Sequence, residues 1–166
     1  MKKLVVGALV AGMACAGTAV QAQVGAKKKA GDPRVEKLLE EADVQYKVDG
    51  DGDFVLGNSV GDGRSQVVWV LSDTSELGAL EIREVWSIAY RSEEPISPET
   101  ARRLLDQNSK VKLGAWQVKE MGGEHFAIFS AQIAADTDAQ SLLTAMEAVT
   151  RTADLMELEL TGKDDF

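Results

Sequence analysis

The sequence predicts an α+β fold: one antiparallel sheet of about five or six strands with helices packed on it. Three observations carry this. Helical periodicity is confined to the two ends and the middle of the chain. The stretches between alternate with a period of two. No repeated strand–helix alternation occurs, which sets aside a doubly wound nucleotide fold. The predicted order is α-β-β-β-β-α-β-β-α, in a single domain over residues 32–161.

Each element has its own signal. Asp32 can cap a helix opened by Pro33, and Val35, Leu38, Leu39 and Ala42 recur at helical spacing. "VQYKV" and "FVLGN" read as strands flanking an aspartate-rich turn. "RSQVVWVLSD" follows the turn "GDG". In "LEIREVWSIAYR" the residues Ile82, Trp86, Ile88 and Tyr90 share one face, interrupted by Glu84. Arg83, Ser87 and Arg91 face the other way, which predicts one buried and one wet side. Ser97 caps and Pro98 opens a second helix, with Ala101, Leu104, Leu105 and Asn108 on one face. "KLGAWQVKEM" and "EHFAIFSAQI" form a hairpin through Gly122-Gly123. The second of these is apolar on both faces and reads as a central strand. A long helix from about Thr137 to Leu160 follows, with Thr137 and Gln140 at capping-box spacing. Its seam is Leu142, Met146, Val149, Ala153, Met156 and Leu160. "GKDDF" (162–166) is expected to fray.

The start of the chain reads differently. Lys2 and Lys3 precede an apolar run and small residues ending at Ala22, the pattern of a cleavable signal peptide over residues 1–22. A lipoprotein reading would acylate Cys15, but Gly12 sits where a large aliphatic residue is wanted. Residues 23–31 read as a disordered leader. The sequence carries 18 Lys and Arg against 27 Asp and Glu; loss of Lys2 and Lys3 leaves 16 against 27, a net of −11. Such a surface repels phosphate backbones, which argues against nucleic-acid binding. Cleavage also removes Cys15, the single cysteine, and with it disulfide or thiolate chemistry. No stable membrane insertion is expected after cleavage, and the protein is expected in the periplasm or secreted.

Candidate chemistry is sparse. Asp49, Asp51 and Asp53 match the first three ligand positions of an EF-hand loop. Phe54 and Val60 then stand where glycine and glutamate are required, and the flanks are strands. A hairpin tip is the better reading, with the three aspartates kept as weak metal candidates. "GNSVGDGRS" lacks the lysine and glycine spacing of a phosphate loop. His125 is the single histidine, so no serine has an evident base. The acidic pairs Glu40-Glu41, Glu93-Glu94 and Asp164-Asp165 read as solvated charge. No cofactor is indicated. Trp69, Trp86 and Trp116 fall in different strands and admit two readings: a core between sheet and helices, or an apolar cleft for a peptide or partner strand. Met146 and Met156 could line the same surface.

Three phrases carry a family resemblance: "RVEKLLEEADVQYKVDGDGDF", "LLDQNSKVKLGAWQV" and "VTRTADLMELEL". In these the chain resembles YbjN-domain proteins, related to the type III secretion chaperone-like fold, over roughly Pro33 to Leu160. The resemblance implies helices on one antiparallel sheet, no enzymatic activity, and a small acidic homodimer binding extended protein segments. Such chaperones work in the cytoplasm, so the signal peptide is a departure. The expected function is a non-enzymatic exported module that captures a protein or peptide segment. The alternative is a small-molecule or divalent-metal sensor using the Asp49–Asp53 loop or the tryptophans.

Overall fold

The computed structural model describes residues 29–166; the expected signal segment and leader residues 23–28 lie outside the described residues. The elements are α1 (Pro33–Glu41), β1 (Lys47–Val48), β2 (Phe54–Gly61), β3 (Arg64–Leu77), β4 (Leu80–Ser92), α2 (Pro98–Asn108), β5 (Ala115–Met121), β6 (Glu124–Ala134) and α3 (Ala139–Thr161). The six strands form one antiparallel sheet in the order β1-β2-β3-β4-β6-β5. This is the predicted fold class and element order. β6 lies between β4 and β5, as its two apolar faces require.

Local signals placed most boundaries. Asp32 accepts the Arg34 N–H at 2.8 Å and Ser97 accepts the Thr100 N–H at 3.1 Å, so both caps form as expected. The third cap differs. Asp138, not Thr137, starts α3 by accepting the Ser141 N–H at 2.7 Å. A carboxylate there also meets the positive end of the helix, which a hydroxyl cannot do as well. Gly122 and Gly123 have φ of 62° and 84°, the left-handed pair that a two-residue hairpin between β5 and β6 demands.

All three helices pack on one face of the sheet. Val35 and Leu39 of α1, Leu104 of α2, and Leu142, Met146, Val149, Ala153 and Met156 of α3 share one buried cluster with Phe54, Val68, Val85, Ala127 and Phe129. The expected α3 seam is thus the buried one. On α2, Leu105 is exposed rather than buried beside Leu104, so the inward stripe is narrower than expected.

Two departures matter for function. Residues Lys29–Gly31, expected as leader, are fixed on the β1–β2 hairpin: the Lys29 N–H bonds the Gly50 carbonyl at 3.3 Å and its ammonium pairs with Asp73 at 2.5 Å. The faces of β4 are also exchanged relative to expectation. Arg83, Val85, Ser87 and Ala89 are buried beneath the helices, while Trp86 and Ile88 lie on the opposite face. Arg83 can be buried because a register shift between Val70 and Thr74 of β3 frees carbonyls from the ladder. Its guanidinium donates to the Leu71 and Ser72 carbonyls and pairs with Asp32 at 2.6 Å. Ser87 donates to the Val67 carbonyl at 2.5 Å and accepts from Gln66 at 2.9 Å. Satisfied polar groups are tolerated in a core. Tyr90 returns to the helix side because β4 shifts register between Ile88 and Tyr90.

Candidate functional site: the uncovered sheet face

No described helix packs on the face of the sheet opposite α1, α2 and α3. Register alone places the side chains there. Trp69 of β3 pairs with Trp86 of β4, Ile88 pairs with Ile128 of β6, and Phe126 lies two residues before Ile128. Ile128, Ile88 and Phe126 are 0, 8 and 9% exposed and form a cluster separate from the main core. Trp69 and Trp86 pack against it, their rings stacked 4.5 Å apart and tilted by 8°. Such a pair contributes about 0.5–1.5 kcal/mol beyond its buried area.

A polar patch borders the stack. Glu84 accepts from the Ser130 hydroxyl, lies 3.5 Å from the Gln117 amide nitrogen and 3.6 Å from the Lys119 ammonium. Lys119 in turn sits 6.0 Å from the Trp86 ring centre, the outer limit of a cation–π contact. The face therefore offers an aromatic platform with one carboxylate and one ammonium at its margin. That suits docking of a side chain or strand.

The segment after α3 reaches this face. Phe166 packs against the Ile88–Phe126–Ile128 cluster. The residues before it are tied down: Arg64 donates to the Lys163 carbonyl at 2.7 Å, and Asp164 accepts the Ser65 N–H at 3.1 Å. The Asp165 N–H donates to Glu157 at 2.5 Å. These contacts hold the segment expected to fray, while Asp164 and Asp165 are both exposed, as their reading as solvated charge implies. Arg64, the first residue of β3, supplies the charge that orders them.

Other candidates fall elsewhere. Trp116 is on the helix side, edge-on to Phe129 at 5.1 Å, with its indole N–H donated to Gln107. Met146 and Met156 are buried under α3, so these three do not join Trp69 and Trp86 on one surface. Met146 also lines a cleft of about 380 Å³ between β2 and α3, with Val44, Asn58, Leu143 and Thr150. His125 is half-buried in β6, opposite Glu120 and Ser92.

The three aspartates form a turn. One Asp49 carboxylate oxygen accepts the N–H groups of Asp51 and Asp53 at 2.9 and 3.0 Å, and Asp53 accepts the Ser72 N–H at 2.8 Å. Burial raises the Asp53 carboxyl above its ordinary range, the Ser72 N–H opposes that, and Asp49 adds to it. The bonded oxygens of Asp49 and Asp53 are aimed at backbone rather than at a shared centre, and the Asp51 carboxylate is exposed. Among the described residues the carboxylates that do converge are Asp154, Glu157 and Asp164. Arg64 occupies their centre, 2.7 Å from Asp154, 3.5 Å from Glu157 and 3.9 Å from Asp164. Burial pushes the Glu157 carboxyl up, against the pull of the Asp165 N–H and Arg64. The cluster is a clasp for a cationic side chain.

Sequence reasoning missed Phe126, Ile128, Arg64 and Phe166 as site residues. One signal was available: β6 is apolar on both faces, so helices on one side leave its other face needing cover. No helix among the described residues is long and apolar enough to cross a membrane. No family model matches the chain, and no curated protein matches it either.

Proposed function

We propose that the protein is a non-enzymatic, exported binding module of the YbjN-like kind, which captures an extended protein or peptide segment on its uncovered sheet face. The observation that supports this is the stacked Trp69–Trp86 pair beside the Ile88–Phe126–Ile128 cluster, with no described helix over it. Flat aromatic surface with polar groups at its rim is the composition of protein-binding hot spots. A photoreactive residue in place of Trp86 should crosslink a distinct envelope protein in cells. The same residue at Leu155, exposed on the helix side, should not. Equal labelling from both positions, or none from Trp86, overturns the reading. Sedimentation of residues 23–166 over a concentration series tests the accompanying expectation of a homodimer.

The β2–α3 cleft supports a second reading, a small-molecule sensor, because about 380 Å³ falls within the ~300–1,000 Å³ of ligand pockets. It predicts a rise in melting temperature with some member of a metabolite panel. Thr150→Trp, which fills the cleft, should abolish that rise; a rise that persists in the variant removes this reading.

A further inference from the structure

We infer that the seat now held by Phe166 is the docking point for an extended segment carrying a carboxylate two residues before an aromatic residue, and that the chain's own Lys163–Phe166 competes for it. This rests on the binding reading above and names its partner chemistry.

Five features build the seat. Gly162, at φ 67°, ends α3 in the left-handed conformation and turns the chain toward the sheet end. Lys163 is fixed from both sides: its N–H bonds the Thr161 hydroxyl at 2.9 Å, and its carbonyl accepts from Arg64 at 2.7 Å. Asp164 takes the Ser65 N–H at 3.1 Å and faces the same guanidinium. The Asp165 N–H meets Glu157 at 2.5 Å. Phe166 then lies on the cluster that also supports Trp69 and Trp86. A cleft of about 470 Å³, bounded by Arg91, Thr161, Lys163, Asp165 and Phe166, runs beside it.

The recognition elements on the sheet are thus a guanidinium, a backbone N–H and an apolar floor. They match a carboxylate followed two residues later by an aromatic ring, which is what the chain itself places there. Arg64 is shared among three carboxylates, so releasing Asp164 leaves it paired with Asp154 and Glu157. The tail can be exchanged without stranding a buried cation.

The test uses residues 162–166 as a free peptide and the full chain with Phe166→Ala. A tethered tail acts at an effective concentration of order millimolar. The peptide should therefore bind Phe166→Ala about tenfold or more tighter than it binds the parent chain, read by tryptophan fluorescence. A peptide with the aspartate at position 164 changed to asparagine, or with phenylalanine changed to alanine, should bind weakly. Equal affinity for parent and variant, or indifference to the aspartate at position 164 of the peptide, overturns the inference. So does a dimer that forms only when Phe166 is present, because a second copy's tail would then fill the seat. Failure of the peptide to bind while Trp86 still crosslinks a partner rejects this seat alone. Peptide binding with no crosslinked partner rejects the function proposed above.

Discussion

The two faces of the sheet are built on the same strands by different rules. The covered face packs aliphatic and small residues around Phe54, Trp116 and Phe129, and its buried polar groups are held within the fold: Arg83 by Asp32 and strand carbonyls, Ser87 by Gln66 and the Val67 carbonyl, with the Gln66 side-chain oxygen alone unpartnered among the described residues. The uncovered face centres on the stacked Trp69–Trp86 pair, and its acid, Glu84, is held by the buried Ser130 hydroxyl and by the half-exposed Gln117 and Lys119 side chains. The first face spends its contacts on stability. The second keeps an aromatic platform beside a cluster against which, among the described residues, Phe166 packs. Loss of a residue should therefore unfold the protein from one side and disable it from the other.

The largest effect is expected in the core. Phe129→Ala removes a fully buried ring from central strand β6 and the edge contact to Trp116, and should cost about 3–5 kcal/mol in denaturant unfolding. Asp32→Ala should come next. It removes the α1 cap, worth about 1 kcal/mol, and leaves the Arg83 guanidinium buried without its carboxylate. Breaking such a pair costs about 3–5 kcal/mol, somewhat less here because the Leu71 and Ser72 carbonyls remain. If Asp32→Ala is as stable as the parent, the polar anchoring of the covered face is wrong.

Acid should act on the same anchor. Hydrogen bonds from Arg34 hold Asp32 well below the usual carboxylate range, and Arg34 with Thr74 lowers Glu81 to about 2. A carboxyl depressed on folding adds stability that is fully present above its unfolded value and lost as pH falls through the folded one. For Glu81 that window runs from the ordinary 4.5 down to about 2. Unfolding midpoints should decline over it. Arg34→Met should flatten the decline, whereas Trp86→Ala should leave it unchanged.

Much of this was legible in the sequence. Two of the three helix caps, the Gly122-Gly123 hairpin, the α3 seam and the central place of β6 follow from local rules, because caps, turns and periodicity act over a few residues. The faces of β4 were not legible. Alternation marks which residues share a face but not which face meets the helices, and the apolar set was the natural choice. What reversed it was Asp32, 51 residues away from its partner Arg83. The tail was illegible for the same reason, since Arg64 and Asp154 come together across 90 residues. The separation of Trp116 from Trp69 and Trp86 also depends on strand pairing, which one-dimensional patterns do not contain.

On the uncovered face the effect on stability should be smaller and the effect on binding larger. Trp86→Ala breaks the stack with Trp69 and should cost about 1–2 kcal/mol, counting some lost apolar area. It should at the same time reduce capture of a partner segment about tenfold or more, as loss of a central aromatic does at hot spots. A variant that destabilises as much as Phe129→Ala, with binding retained, would make the stack a second core.

The smallest effects separate structure from metal binding at the aspartate turn. Asp49→Ala removes the acceptor shared by the Asp51 and Asp53 N–H groups and should cost about 1 kcal/mol. Asp51→Asn should change stability by less than about 0.5 kcal/mol, because the exposed Asp51 side chain makes no hydrogen bond among the described residues. Calcium should shift the parent's melting temperature no more than it shifts that of Asp51→Asn, since binding to a site that needs all three carboxylates would stabilise only the parent. A larger calcium shift in the parent alone would show that the turn opens to present its oxygens to an ion. The Asp49 hydrogen bonds would then be the resting state of a metal site, and the contrast between a binding face and an inert hairpin would fail.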